Sequence, residues 1–108
     1  MPTYNKLIRD KIPALLEEKQ TSYQIEKIRK DDRFEQVLRK KLTEEVAEFL
    51  AANEKAERLE EIADIIEVLY ALAQLDHVQP NQVEQIRQDK KLERGGFDQR
   101  LFLVSTTD

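Results

Sequence analysis

Cysteine is absent from this 108-residue chain, which excludes disulfides and thiolate metal ligation. Histidine occurs once, at position 77, so a zinc centre of the His/Cys type or a di-iron centre with paired Glu-x-x-His motifs has too few ligands to draw on. Two glycines and three prolines leave no Walker loop, glycine-rich cradle or dinucleotide fingerprint, and they leave long stretches free of helix breakers. An excess of basic residues is also lacking: the formal net charge is −4. A broad cationic surface for a phosphate backbone is thereby excluded, and nucleic acid is not an expected partner. No apolar run approaches the roughly 18 residues of a membrane span. The opening "MPTYNKLIRDKIP" carries charges where a signal peptide needs an apolar core. A cytoplasmic location with no membrane partner is the resulting expectation.

What the chain does have is charge and helical periodicity. Apolar residues make up 40% and charged residues 37%, enough for one modest core, so residues 1–108 are read as a single domain. Pro13 suits the first turn of a helix reaching about Gln20, where its missing N–H would be unpaired anyway. Asp31 or Asp32 is placed to cap a long helix over about 32–53, whose apolar face is Phe34, Val37, Leu38, Leu42, Val46, Phe49 and Leu50. A second long helix over about 57–76 follows after a few residues, so the two are expected to pack as an antiparallel hairpin. Pro80 and Asn81 open a further helix that ends at the glycines of "RGG", residues 94–96. "SYQIEKI" (22–28) and "RLFLVST" (100–106) read as short strands. The expected fold is mainly α: a helical-bundle core built on the hairpin, with flanking helices and a minor two-stranded β element.

The second long helix has more apolar surface than one partner can cover. Leu59, Ile62, Ala63, Ile66, Leu69, Tyr70 and Ala73 fill one face, and Ile65, Val68, Leu72 and Leu75 fill another. A homodimer or tetramer supplies the missing cover in so short a chain, although a helix central to the monomer would show the same pattern.

Acids cluster on the same two helices. "EEVAEF" puts Glu44, Glu45 and Glu48 within one turn, and "EIAD" puts Glu61 and Asp64 three residues apart on one face. With a turn near residue 54 or 55, facing residues have numbers summing to about 109, which sets Glu45 against Asp64 and Glu48 against Glu61. Four carboxylates between helix axes about 8–10 Å apart would repel or take up protons unless a cation neutralised them. All-oxygen anionic ligation suits Mg²⁺, with Mn²⁺ as a possible substitute. Glu44 falls outside the matched pairs and is read as a neighbouring acid or general base, Glu60 and Glu67 as surface acids, and His77 as a helix-end residue. An acidic string on an exposed helix is otherwise an ordinary solvated face.

"EEVAE" at 44–48, twelve intervening residues and "EIAD" at 61–64 resemble the EExxE…ExxD signature of the MazG-like nucleotide pyrophosphohydrolases. These belong to the all-α NTP pyrophosphatase superfamily, which includes phosphoribosyl-ATP pyrophosphohydrolase and dimeric dUTPases. "YNKLIRDKIP" (4–13) and "KLERGGFDQRLFL" (91–103) are similar to the ends of a small single-domain, phosphoribosyl-ATP pyrophosphohydrolase-like branch. The resemblance implies Mg²⁺-dependent cleavage of a nucleoside triphosphate between the α and β phosphates, giving a monophosphate and pyrophosphate. By position it implies Glu45, Glu48, Glu61 and Asp64 as metal ligands, with Glu44 and Glu45 in catalysis and Glu44 handling the attacking water. Candidates for the phosphates are Lys41, Lys90, Lys91 and Arg94, then Asn5, Lys6, Arg9 and Lys11 in a segment able to fold over the site; each is otherwise a surface charge. "KKLTEEVAEF" lacks the glycine of the histidine-pathway version, which favours housecleaning of non-canonical nucleotides. The alternatives are a non-catalytic helical interaction module and a protein that only binds nucleotides.

Overall fold

The structure is a computed structural model and describes residues 3–107. Four helices follow in chain order: α1 (Ile12–Glu18), α2 (Asp31–Ala51), α3 (Lys55–Leu75) and α4 (Pro80–Arg94). α2 and α3 form the expected antiparallel hairpin across a loop of residues 52–54, where the Arg58 guanidinium donates to the Asn53 carbonyl at 2.8 Å. α4 packs on α3, and α1 packs on none of the other helices.

Backbone chemistry explains where the helices stop. α1 and α3 both end in Schellman motifs, with Gln20 (φ 57°) and His77 (φ 62°) in the left-handed position. After α3, the His77 N–H donates to the Gln74 carbonyl at 2.9 Å and the Val78 N–H reaches back to Ala73 at 3.1 Å. His77 is thus a helix-end residue, of a type that tolerates positive φ better than most. Gly95, at φ 85°, closes α4 in a conformation that suits glycine alone. At the start of α4, Gln79 and Gln82 form a reciprocal capping box. α2 has no side-chain cap: Asp31 and Asp32 lie inside its first turn, where their charges complement the helix dipole.

The two-stranded β element does not form. No strand occurs among the described residues, neither in 22–28 nor in 100–106. Two short strands make a marginal sheet even when they meet. The last segment is also left in solvent, with Phe102 89% and Leu103 78% exposed. Phe97 is 96% exposed. Val46 and Leu50, assigned to the inner face of α2, are exposed as well.

Only Leu38, Val68 and Glu45 are buried among the described residues. The radius of gyration is 18.3 Å, against about 13 Å for a compact chain of this length. Accessible area is 10291 Å², where a compact 12.7 kDa monomer would expose about 6,200 Å². The chain is an open set of helices organised by one seam, that between α2 and α3.

Candidate metal centre

The seam is read off the positions that each helix shields. Among these on α2 are Phe34, Leu38, Lys41, Glu45 and Phe49; among those on α3 are Glu61, Asp64, Ile65, Val68, Leu72 and Leu75. Steps of three and four residues keep each set on one face. Leu38 and Val68 both lie fourteen residues from the loop, and Glu45 and Glu61 both lie seven from it. Glu45 lies against both Glu61 and Asp64, and Glu48, exposed at the rim, is near enough to act on Glu61 through its charge.

At this level Glu45, Glu61 and Asp64 each offer a carboxylate oxygen, and the three lie within 4.8 Å of one another. The Glu45 side chain is only 8% exposed. One oxygen on each of Glu45 and Glu61, Oε2 in both cases, is buried without a hydrogen-bond partner. Buried carboxylate oxygens without partners are costly. Lys41, one helical turn before Glu45, contributes an ammonium 3.3 Å from Glu45 Oε1. Arg9, from the segment ahead of α1, donates through Nη2 to Asp64 Oδ1 at 2.7 Å.

Protonation follows from this crowding. Contact with Glu45, then burial and the nearby Glu48 charge, pushes the Glu61 carboxyl up to about 7. Burial also opposes the charge on Glu45, but its contact with Glu61 and the Lys41 ammonium outweigh burial and hold it below the usual carboxylate range. Below about 7 the pair therefore carries one charge, on Glu45, and one proton, on Glu61. A cation placed among these oxygens would replace that proton, and an all-carboxylate donor set fits a hard divalent ion.

The other predicted residues divide into two groups. Asn5, Lys6, Lys41 and Glu44 meet around a cavity of about 100 Å³ between the N-terminal segment and α2, completed by Leu7, Val37 and Lys40. Lys40 was not singled out by the sequence reading; its signal was adjacency to Lys41 in "KKLTEE", which on a helix reads as a residue turned away. Lys90, Lys91 and Arg94 lie on α4, and none of them forms an ion pair with the acids among the described residues. Lys11 is exposed at the start of α1 and likewise pairs with none of them.

The family model for phosphoribosyl-ATP pyrophosphohydrolase matches residues 1–91, which takes in Arg9, both acidic motifs and most of α4. The chain belongs to the phosphoribosyl-ATP pyrophosphohydrolase family. It thereby falls within the MazG-like all-α NTP pyrophosphatase superfamily and is a pyrophosphohydrolase, a hydrolase acting on phosphoric anhydrides. This family is typically dependent on a divalent metal, in keeping with the three converging carboxylates. No curated protein and no solved structure matches the chain. Among the described residues, no helix is long and apolar enough to cross a membrane.

Proposed function

We propose that the protein hydrolyses a nucleoside triphosphate or related nucleotide between the α and β phosphates, with Mg²⁺, as a cytoplasmic housecleaning enzyme acting on non-canonical nucleotides. The observation that carries this reading is the pair of buried, unpartnered oxygens of Glu45 and Glu61 in a three-carboxylate group that also includes Asp64. Glu45, Glu61 and Asp64 would hold the ion, with Glu48 at the rim. When bound, it neutralises phosphate charge and lowers the pKa of a coordinated water. Glu44, exposed beside the cavity, is available to orient or deprotonate the attacking water. Lys6, Lys40 and Lys41 line the same cavity and are the cations available there for the polyphosphate. Lys90, Lys91, Arg94 and Lys11 have no comparable support.

The test is pyrophosphate release from a panel of normal and modified triphosphates with Mg²⁺. Activity should appear in the native chain and be lost in Glu61→Gln and Asp64→Asn, with helical circular dichroism retained. Orthophosphate as the direct product would refute cleavage between α and β. No product from any nucleotide, together with no Mg²⁺-dependent thermal shift, would favour the non-catalytic module.

A homo-oligomer is part of the same reading. Leu59, Ile62, Ile66 and Leu69 form an unbroken stripe on α3, 40–56% exposed, on the side away from α2. The roughly 4,000 Å² of surface beyond that of a compact monomer lies within the range that obligate interfaces cover. Ile66→Asp should convert the assembly to monomers in sedimentation; an unchanged mass would remove this stripe from the interface.

A further inference from the structure

Arg9 makes a contact unlike the other ion pairs of the described residues. Those pairs join neighbours in sequence, whereas Arg9 and Asp64 are 55 positions apart and tie the N-terminal segment to the hairpin. Residues 3–9 have no regular secondary structure, so the placement of Arg9 comes from packing. Leu7 and Ile8 are half-buried, and Leu7 joins Asn5 and Lys6 against Val37, Lys40, Lys41 and Glu44 of α2. The segment thus starts on the flank of α2 and delivers its guanidinium to α3, beside the acidic group.

Two properties make this contact exchangeable. Both side chains are open to water, Arg9 60% and Asp64 41% exposed, so the pair is screened and weak as a structural clamp. A guanidinium does not release its proton in the accessible pH range, so Arg9 leaves Asp64 only when another cation claims the carboxylate or an anion claims the guanidinium. A divalent ion and a nucleotide polyphosphate are one of each. The planar fork of arginine matches two phosphate oxygens at once, which an ammonium group cannot do.

We propose that Arg9 is an exchange latch: it neutralises Asp64 until a divalent cation takes that carboxylate, and then turns to the polyphosphate held by the same cation. The inference rests on the metal-centre reading above. It makes Arg9 a competitor of the metal in the absence of nucleotide and an ally of the substrate in the presence of metal, two opposite signs at one residue.

The experiment is titration of the full-length protein with Mn²⁺, following free Mn²⁺ by electron paramagnetic resonance, without and then with tripolyphosphate. Arg9→Gln should tighten Mn²⁺ alone by roughly two- to fivefold, the scale of an exposed ion pair. The same variant should weaken tripolyphosphate binding to the Mn²⁺-loaded protein, by about tenfold for loss of a bidentate charged contact. Arg9→Lys should keep the competition with Mn²⁺ and lose most of the tripolyphosphate gain. Lys19→Gln, which removes an exposed cation at the end of α1, controls for net charge and should change neither constant. Unchanged or weaker Mn²⁺ binding in Arg9→Gln, with normal binding in the native chain, overturns the latch alone. Absence of Mn²⁺ binding in the native chain overturns the metal centre, and the latch with it.

Discussion

Two levels of the α2–α3 seam, seven residues apart on each helix, are built in opposite ways. Far from the loop, Leu38 and Val68 are 2% and 8% exposed; nearer the loop, Glu45 is 6% exposed opposite Glu61. Burial of Leu38, Val68 and Glu45 is comparable, yet the first level supplies hydrophobic stabilisation unaided, whereas the second withholds one oxygen each of Glu45 and Glu61 from water. The same helical repeat therefore produces a core at one end and a site at the other. A level of this kind costs stability until a cation arrives.

Exchanging the chemistry of the two levels gives the largest expected effects. Glu61→Gln should lower pyrophosphate release by about a thousandfold, because a metal ion supplies several kcal/mol to a phosphoryl-transfer transition state. The metal-free protein should be no less stable for it, since a like-charge contact is relieved. Leu38→Ala should do the reverse. It removes about 3 kcal/mol of unfolding free energy through lost burial and a cavity, while Mn²⁺ affinity of the folded fraction holds. Denaturant unfolding and metal titration of both variants decide the matter. Equal losses of stability in the two would show the acids to be ordinary parts of the core.

A smaller effect separates the levels by pH. Glu61 titrates at about 7 in the fold, against 4.5 for an ordinary glutamate. Between those values the folded protein holds a proton that the unfolded chain has released, so folding takes up protons. This contribution is fully present below pH 4.5, declines as pH rises, and is gone above about 7. The metal-free protein should therefore lose melting temperature between pH 5 and pH 8. Mg²⁺ should restore it at pH 8, where no proton competes, and Glu61→Gln should flatten the slope. A slope that survives in Glu61→Gln would assign it to another group.

The helical level of this architecture was open to reading from sequence because the relevant forces are local. Pro13 and Pro80, "RGG" and the three-and-four spacing of apolar residues set the helices to within a few positions. The identity of the converging acids was also readable, since "EExxE" and "ExxD" can share faces only across a hairpin. The depth of each acid was not, because the burial of Glu45 against the exposure of Glu48 depends on how the two helices are rotated about their axes. Nor was the fate of "SYQIEKI" and "RLFLVST", whose residue types suit strands but whose pairing no local force can supply. Arg9 was one cation among several in "NKLIRDK"; only the path of the chain over α2 distinguishes it from Lys11.

The smallest expected effect lies at Lys41, on the boundary between the two levels. Lys41 is half-buried on α2, one turn from Leu38 and one from Glu45, and its ammonium reaches Glu45 at 3.3 Å. Lys41→Met keeps the stem and removes the charge. With the Lys41 side chain 24% exposed, the ion pair is partly wetted and should contribute under about 1 kcal/mol, so Lys41→Met is expected to unfold within that margin of the native chain. The phosphate contact proposed for Lys41 is a separate matter, and on that proposal KM for the nucleotide should rise. A loss of several kcal/mol in metal-free unfolding would show that Lys41 is the obligatory counter-charge of Glu45. The acidic level would then be balanced by its own lysine, and the unpartnered oxygens of Glu45 and Glu61 would no longer call for a metal.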